Sequence, residues 1–209
     1  MIARLATLCA VLSLAAPVAA QTSSQRWEVD GNVLIYNTEH KGSDSGIERS
    51  DVDRLRTLLR DNPAIEVLSV NSTGGGLYAA LDMGNVVIDF ELDTVIDAVC
   101  ESSCMYLFLA GEERTMARGG RVGFHRISWP ADSIESYYDR NREEEGWDTP
   151  FDLTSWIYED TQLEIYEILS FMVGRGVDAG FALQTFKASP DEMWSPYRPA
   201  LLAAGVLTE

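Results

Sequence analysis

Apolar residues recur with two different periods along the first half of the chain. Short runs rich in Val, Ile and Leu predict strands at 33–36, 65–70, 94–99 and 121–125. Apolar positions three and four residues apart predict helices at 50–59, with Ser50 as the N-cap, and at 77–90 and 103–110. Strands and helices that alternate in this order are typical of parallel strands joined by crossover helices, so we expect an α/β fold.

The second half of the chain is mainly helical in its spacing. Residues 127–150 interrupt the pattern because they are mostly polar and contain two prolines and an acidic run at 143–145. We interpret them as a surface excursion or lid. Helices are predicted at 154–173 and at 179–187. Neither a repeat nor a linker marks a second domain, so residues 21–209 are expected to form a single domain.

The first twenty residues have the pattern of a secretory signal peptide. Arg4 is their only charge, residues 5–14 are apolar, and Pro17-Val18-Ala19-Ala20 places small residues before a cut at Gln21. The apolar stretch is shorter than a typical membrane span, and an uncleaved N-terminal anchor is the alternative interpretation. We therefore expect a periplasmic or secreted protein with no stable membrane insertion after cleavage.

The chain is strongly acidic. It has 16 Lys and Arg against 33 Asp and Glu, a net charge of −17 that would become −18 when the signal peptide is removed. Nucleic-acid phosphates and anionic lipids repel such a surface, which argues against nucleic acid as a partner. The charge serves solubility or attracts cationic substrates. An apolar content of 46% excludes a disordered chain.

Three groups suited to acyl transfer occur in order along the chain. A glycine turn, 74–76, follows a predicted strand, Ser102 stands at a predicted strand-to-helix junction, and His125 ends a predicted strand. These groups could provide oxyanion donors, a nucleophile and a general base. A strand-end histidine bonded to a backbone carbonyl is the alternative for His125, and Ser103 is the rival nucleophile.

Cys100 and Cys104 flank Ser102. In an oxidising compartment they could form a disulfide around the serine, and two small buried thiols are the alternative. A pair with this spacing, without a second Cys pair or a nearby His, does not indicate zinc, so no metal is expected.

Four segments follow one another along the chain: Asn71-Ser72-Thr73-Gly74-Gly75, Ser102 before an apolar helix ending in Ala110-Gly111, Val122-Gly123-Phe124-His125 and the terminal Ala204-Gly205-Val206-Leu207. Together they resemble the ClpP-like serine peptidase superfamily. The similarity is greatest to an exported bacterial branch with a C-x-S-x-C element. It covers residues 30–126 well and the last twenty loosely. The resemblance implies the ClpP/crotonase fold, a repeated ββα spiral with a mostly parallel sheet and flanking helices. It also implies a peptidase without cofactors that acts on peptides or proteins, and a homo-oligomer, since relatives form rings or trimers.

The resemblance also implies roles for individual residues. Ser102 would be the nucleophile, His125 the general base, and the amides of Gly75 and Ser103 the oxyanion hole. Asp191 occupies the region of the family's aspartate, with Glu192 second, although Asp191 could simply cap the segment after Pro190. Glu101 departs from the family, where a small neutral residue is usual, and a carboxylate facing the site would oppose an oxyanion.

Two other functions remain open. A non-catalytic periplasmic binding or scaffold protein with the ClpP fold is favoured by Glu101 and by the doubtful Asp191. A crotonase-like acyl-CoA enzyme conflicts with export and with the lack of a basic patch for the CoA phosphates. A lysine base is not indicated, because neither Lys41 nor Lys187 lies at a predicted strand end.

Overall fold

A six-stranded sheet forms the centre of the protein. The computed structural model describes residues 25–43 and 45–209, so the predicted signal peptide lies outside the described residues. The strands are β1 (Trp27–Asp30), β2 (Val33–Asn37), β3 (Val67–Ser72), β4 (Asp93–Glu101), β5 (Arg114–Met116) and β6 (Arg121–Gly123). Their order is β1-β2-β3-β4-β5, and β6 pairs with β4 as well. Only β1 and β2 are antiparallel, so the prediction of an α/β fold with a mostly parallel sheet is confirmed.

Helices flank this sheet. Within the described residues they are α1 (Arg49–Asp61), α2 (Leu77–Asp89), α3 (Cys104–Leu109), α4 (Ala131–Glu145), α5 (Pro150–Gly174), α6 (Ala179–Thr185) and α7 (Arg198–Ala203). Helix α2 packs against α1 and α3, and α5 packs against α4 and α6. None of the helices between residues 25 and 209 that the structure describes is long and apolar enough to span a bilayer.

The core is formed by strand residues and by one side of the helices that pack on them. Its largest fully buried side chains include Leu34, Tyr36, Leu55, Leu68, Met83, Ile96, Leu107 and Phe108. In β3, every residue from Leu68 to Ser72 is buried, as expected for a parallel strand that is covered on both faces. The turns at the ends of β3 and β4 are therefore attached to a tightly packed support.

Helix α1 begins earlier than the sequence pattern predicts. Its N-cap is Glu48, which forms a capping box with Asp51, and the prediction that Ser50 is the N-cap is wrong. Ser50 lies inside the first turn. The reason is a tertiary contact. Arg26, which precedes β1, binds the Asp51 carboxylate, and in this position the carboxylate accepts a hydrogen bond from the Glu48 amide.

The predicted excursion at 127–150 contains a regular helix. Helix α4 begins after Pro130 and ends at Gly146, whose φ is +71°. Proline before a helix and glycine after it are ordinary boundary signals, and a mostly polar helix lacks the apolar stripe that would reveal it. Helix α5 begins at Pro150, four residues before the predicted start. The pattern also missed β1 and β5, which are short strands at the sheet margins, and α7.

Candidate active site

Ser102 lies in a tight turn between β4 and α3. Its φ is +55°, and Glu91 is the only other non-glycine residue with a positive φ among the described residues. Such a conformation costs about 1–3 kcal/mol and persists only where the surroundings impose it. The amide of Ser102 donates to the carbonyl oxygen of Gly123 (2.9 Å), and its carbonyl oxygen accepts from the Met105 amide (3.1 Å). The turn is therefore fixed on both sides of the serine.

The structure brings Ser102 and His125 together. The Nε2 atom of His125 lies 2.7 Å from the Oγ atom of Ser102. His125 follows β6, and its position is fixed by two hydrogen bonds of 2.9 Å between the backbones of Phe124 and Trp194. At this distance a neutral imidazole can accept the hydroxyl proton as the oxygen attacks a carbonyl carbon.

The other ring nitrogen of His125 has no partner. Its Nδ1 atom is buried and makes no hydrogen bond with any described residue. Asp191 and Glu192 are both exposed, and neither carboxylate binds this nitrogen. The amide of Asp191 instead donates to the Ser189 hydroxyl (3.3 Å). The structure therefore joins Ser102 to His125 and brings neither predicted carboxylate to the Nδ1 atom.

Two backbone amides border the serine without a partner. Within residues 25–43 and 45–209, neither the Gly75 amide nor the Ser103 amide donates a hydrogen bond. Ser103 is the N-cap of α3, and its hydroxyl donates to the carbonyl oxygen of Gly75 (3.1 Å), so the two segments are joined directly. Both N–H groups are free to bind an oxyanion.

Gly74 and Gly75 of the glycine turn are packed against different segments of the chain. A Cβ atom on Gly74, whose φ is +105°, would lie 2.8 Å from the Cβ of Ser102 and 2.9 Å from the carbonyl oxygen of Glu101. A Cβ atom on Gly75 would lie 2.3 Å from the amide nitrogen of Ile47. Gly74 is therefore the residue packed against Ser102, and Gly75 is packed against Ile47.

Side chains from β3 support the glycine turn from behind. The amide oxygen of Asn71 accepts a hydrogen bond from the Val99 amide (3.2 Å), where the register of β3 and β4 shifts. The hydroxyl of Ser72 accepts from the Gly74 amide (3.1 Å) and is hydrogen-bonded to the Thr38 hydroxyl (2.8 Å). Asn71 and Ser72 are both buried, which agrees with a structural role for this segment.

Glu39 also supports the turn, although no pattern in the sequence pointed to it. Its Oε1 atom accepts from the amide and the hydroxyl of Thr73, each at 2.9 Å, and from the Thr38 hydroxyl at 3.0 Å. Burial by itself raises the pKa of this carboxyl, but these hydrogen bonds and the charge of Arg121 outweigh it and hold the pKa below its usual range. Glu39 and Thr73 are 34 residues apart, so only the tertiary structure pairs them.

Glu101 does not stand beside the site as an uncompensated charge. Its Oε1 atom accepts from the Nε atom of Arg121 at 2.9 Å. The two residues lie on the paired strands β4 and β6. The expected repulsion between this carboxylate and an oxyanion is therefore reduced by a neighbouring guanidinium.

Cys100 and Cys104 are joined in a disulfide that encloses Ser102. Their Cα atoms are 5.3 Å apart, and both residues are fully buried. The crosslink connects the end of β4 to the first residue of α3, the two elements that hold the serine turn. In the described part of the chain, no group of three or more His, Cys, Asp or Glu side chains is arranged to hold a metal ion.

The fold of the chain is similar to those of solved structures. The chain is similar to a point mutant of ClpP1 from Listeria monocytogenes, with a TM-score of 0.55 and 14% sequence identity over 86% of this chain and 90% of that one. This chain has the fold of ClpP. A point mutant of the 1510-N membrane-bound stomatin-specific protease is also similar, with a TM-score of 0.48 and 16% identity over 77% of this chain and 72% of that one. No family model and no curated protein matches the chain.

In the ClpP fold of this chain, the site lies at the carboxyl ends of parallel strands. Gly75 follows β3, Ser102 follows β4 and His125 follows β6. The carboxyl ends of parallel strands meet at one edge of a sheet, which is where residues distant in sequence come together. The order glycine turn, serine, histidine along the chain therefore becomes a single cluster in space.

Proposed function

We propose that this protein is a serine hydrolase that acts through an acyl-enzyme, with Ser102 as the nucleophile and His125 as the general base. The contact of 2.7 Å between Oγ and Nε2 is the observation that carries the proposal. The strained backbone of Ser102 adds to it, since a scaffold protein would gain stability by losing that strain.

The proposed reaction has two steps. His125 Nε2 accepts the hydroxyl proton while Oγ forms a bond to the substrate carbonyl carbon, and the amides of Gly75 and Ser103 bind the resulting oxyanion. His125 then gives the proton to the leaving group as the bond between that group and the carbonyl carbon breaks, which leaves the acyl-enzyme. In the second step, water gives a proton to His125 and attacks the acyl carbon, and the bond to Oγ breaks as Ser102 regains its proton and the acid is released. Loss of one oxyanion donor would slow such a reaction by about a hundredfold to a thousandfold.

The proposal has two further parts: the substrate bonds are peptide bonds, and the protein acts outside the cytoplasm after export. The resemblance of the glycine turn, Ser102 and His125 to ClpP-like peptidases supports the first part. The pattern of residues 1–20 and the buried disulfide support the second, because disulfides persist mainly in oxidising compartments.

Labelling with a serine-reactive fluorophosphonate tests the proposal. We expect the protein to be labelled at Ser102, and Ser102→Ala to lose labelling and hydrolysis while its circular dichroism and melting temperature stay near those of the parent. Ser103→Ala is the matched control, which should keep labelling because its backbone amide remains. A folded parent protein that is not labelled at all would support the non-catalytic scaffold instead.

A further inference from the structure

Three arginines line one cavity close to the proposed active site. The cavity has a volume of about 400 Å³, and Arg118, Arg121 and Arg198 all contribute to its wall. Its lining includes no Asp or Glu, although the chain has 33 acids and only 16 bases. The cavity wall therefore carries three positive charges, of which that of Arg121 is paired with Glu101 outside the lining.

Only some of the N–H groups of these guanidinium groups are hydrogen-bonded to other described residues. Within the described residues, the side chain of Arg118 is exposed and makes no hydrogen bond or ion pair. Arg121 binds Glu101 through Nε alone, and 64% of its side chain is exposed. Arg198 donates to the carbonyl oxygen of Met116 and to a backbone oxygen of Glu209. Arg118 and the outer nitrogens of Arg121 thus retain donors for a ligand.

The position of Arg121 connects the cavity to Ser102. Arg121 precedes Gly123 by two residues in β6, and the carbonyl oxygen of Gly123 accepts from the amide of Ser102. Two steps along a strand cover about 7 Å, and the four steps from Arg121 to His125 cover about 13 Å if the backbone is extended. An extended peptide held at Ser102 could therefore place a residue about two to four positions from the reacting carbonyl at the cavity.

We propose that this cavity binds a carboxylate of the substrate, so that the enzyme prefers peptides with an acidic group two to four positions from the cleaved bond. This inference rests on the proposed hydrolase function. Planar guanidinium groups match a carboxylate through paired N–H donors, which makes arginine the residue suited to such recognition. The carboxylate is that of a Glu or Asp side chain or of a peptide C-terminus.

Cleavage of defined peptides tests the preference. The probes are acetylated, amidated octa-alanine peptides with one Glu at each position in turn, and the same set with Gln. We expect one Glu peptide to be cleaved about three to ten times faster than its Gln partner, as befits partly exposed ion pairs. Arg118→Gln should reduce this ratio towards one, and Arg118→Glu should favour a Lys peptide instead. Arg54→Gln, at an exposed arginine of α1, is the control and should keep the ratio.

A second set of octa-alanine peptides, with a free C-terminus, distinguishes a side-chain carboxylate from a C-terminal carboxylate as the ligand. Faster cleavage of these peptides than of their amides, with the advantage lost in Arg118→Gln, would identify the C-terminus as the ligand. Equal cleavage of the two, together with a Glu preference, would identify the side chain.

Binding to Ser102→Ala separates this inference from the proposed function. Fluorescein-labelled Glu and Gln peptides are titrated against this variant by anisotropy, so no reaction is needed. A Glu preference that Arg118→Gln removes would support the cavity even if the parent protein hydrolysed nothing. The inference would be overturned by cleavage or binding that shows no preference for Glu or for a free C-terminus. It would also be overturned by a preference that Arg118→Glu leaves unchanged, or by the absence of both cleavage and binding.

Discussion

Two polar clusters lie in different parts of the protein, one beside β1 and β2 and the other at the ends of β4 and β6, and their polar groups are hydrogen-bonded to different extents. In the first, the carboxylate of Asp51 accepts two hydrogen bonds from Arg26 (2.8 and 2.6 Å), one from the Tyr36 hydroxyl (2.7 Å) and one from the Glu48 amide (2.9 Å). Asp51 is only 3% exposed. In the second, no described residue binds the buried Nδ1 atom of His125, and Ser102 is held at φ +55°.

The difference separates stability from chemistry. Full satisfaction of Asp51 fixes the start of α1 against β2 and leaves no group free to react. Burial by itself would raise the pKa of the Asp51 carboxyl, but hydrogen bonds from Arg26, Glu48 and Tyr36 outweigh it and hold the pKa below its usual range. The site around Ser102 instead keeps strain, free amides and an unpartnered nitrogen, which stability alone would remove.

Gly74→Ala should produce the largest effect, because it forces a side chain into the Ser102 turn. The added Cβ would lie 2.8 Å from the Cβ of Ser102 at a φ of +105°. We expect a loss of about 4 kcal/mol in the free energy of unfolding from strain and overlap, and the loss of fluorophosphonate labelling. Gly31→Ala is the control, since φ is +60° there and nothing lies within 4 Å of the added atom, and it should cost only about 1 kcal/mol.

Asp51→Asn should come next, and it tests the satisfied cluster. Removing one charge of a buried pair should lower the free energy of unfolding by about 3 kcal/mol in urea denaturation. Asp53→Asn provides the control, because Asp53 is exposed and its ion pair with Arg56 spans 3.5 Å, and it should cost less than about 0.5 kcal/mol.

The same pair of variants gives a pH test. A carboxyl whose folded pKa is depressed stabilises the protein fully above its unfolded pKa, and the contribution is lost as pH falls through the folded pKa. The parent should therefore lose stability below about pH 4 by a component that Asp51→Asn lacks. Identical pH profiles for parent and Asp51→Asn would show that the cluster does not hold this charge.

Removal of the disulfide should have an intermediate effect on stability. The double variant Cys100→Ser, Cys104→Ser opens a loop of about five residues, which lowers the free energy of unfolding by about 2 kcal/mol in the chain-entropy model. The labelling rate of Ser102 should fall as well, since the crosslink ties together the two elements that hold its turn. A labelling rate equal to that of the parent would show that the hydrogen bonds to Gly123 and Met105 suffice.

Asp191→Asn should have the smallest effect. Because this carboxylate does not bind Nδ1 of His125, the rate of labelling should change by less than about twofold, where loss of an orienting aspartate costs orders of magnitude. Glu192→Gln is tested in parallel and should behave alike. A large loss in either variant would identify the partner that the ring acquires when substrate binds.

By itself, the sequence determined the alternation of strands and helices, the parallel sheet and the candidates Ser102, His125, Gly75 and Ser103. These follow from apolar periodicity and from short segments around glycine and serine, which are local properties of the chain. The pattern did not predict α4 because this helix is mostly polar and has no apolar stripe. It did not predict β1 and β5 because strands of four and three residues are too short to show an alternation.

Only the tertiary structure decided which of these groups meet. It brought Oγ of Ser102 to 2.7 Å from Nε2 of His125, joined Cys100 to Cys104, and placed Arg121 beside Glu101. It also left Nδ1 of His125 without Asp191 and supplied Glu39 as an unexpected support for the glycine turn. The physical reason is that such contacts depend on strand order and register, which join residues far apart in the chain and leave no periodic trace in the sequence.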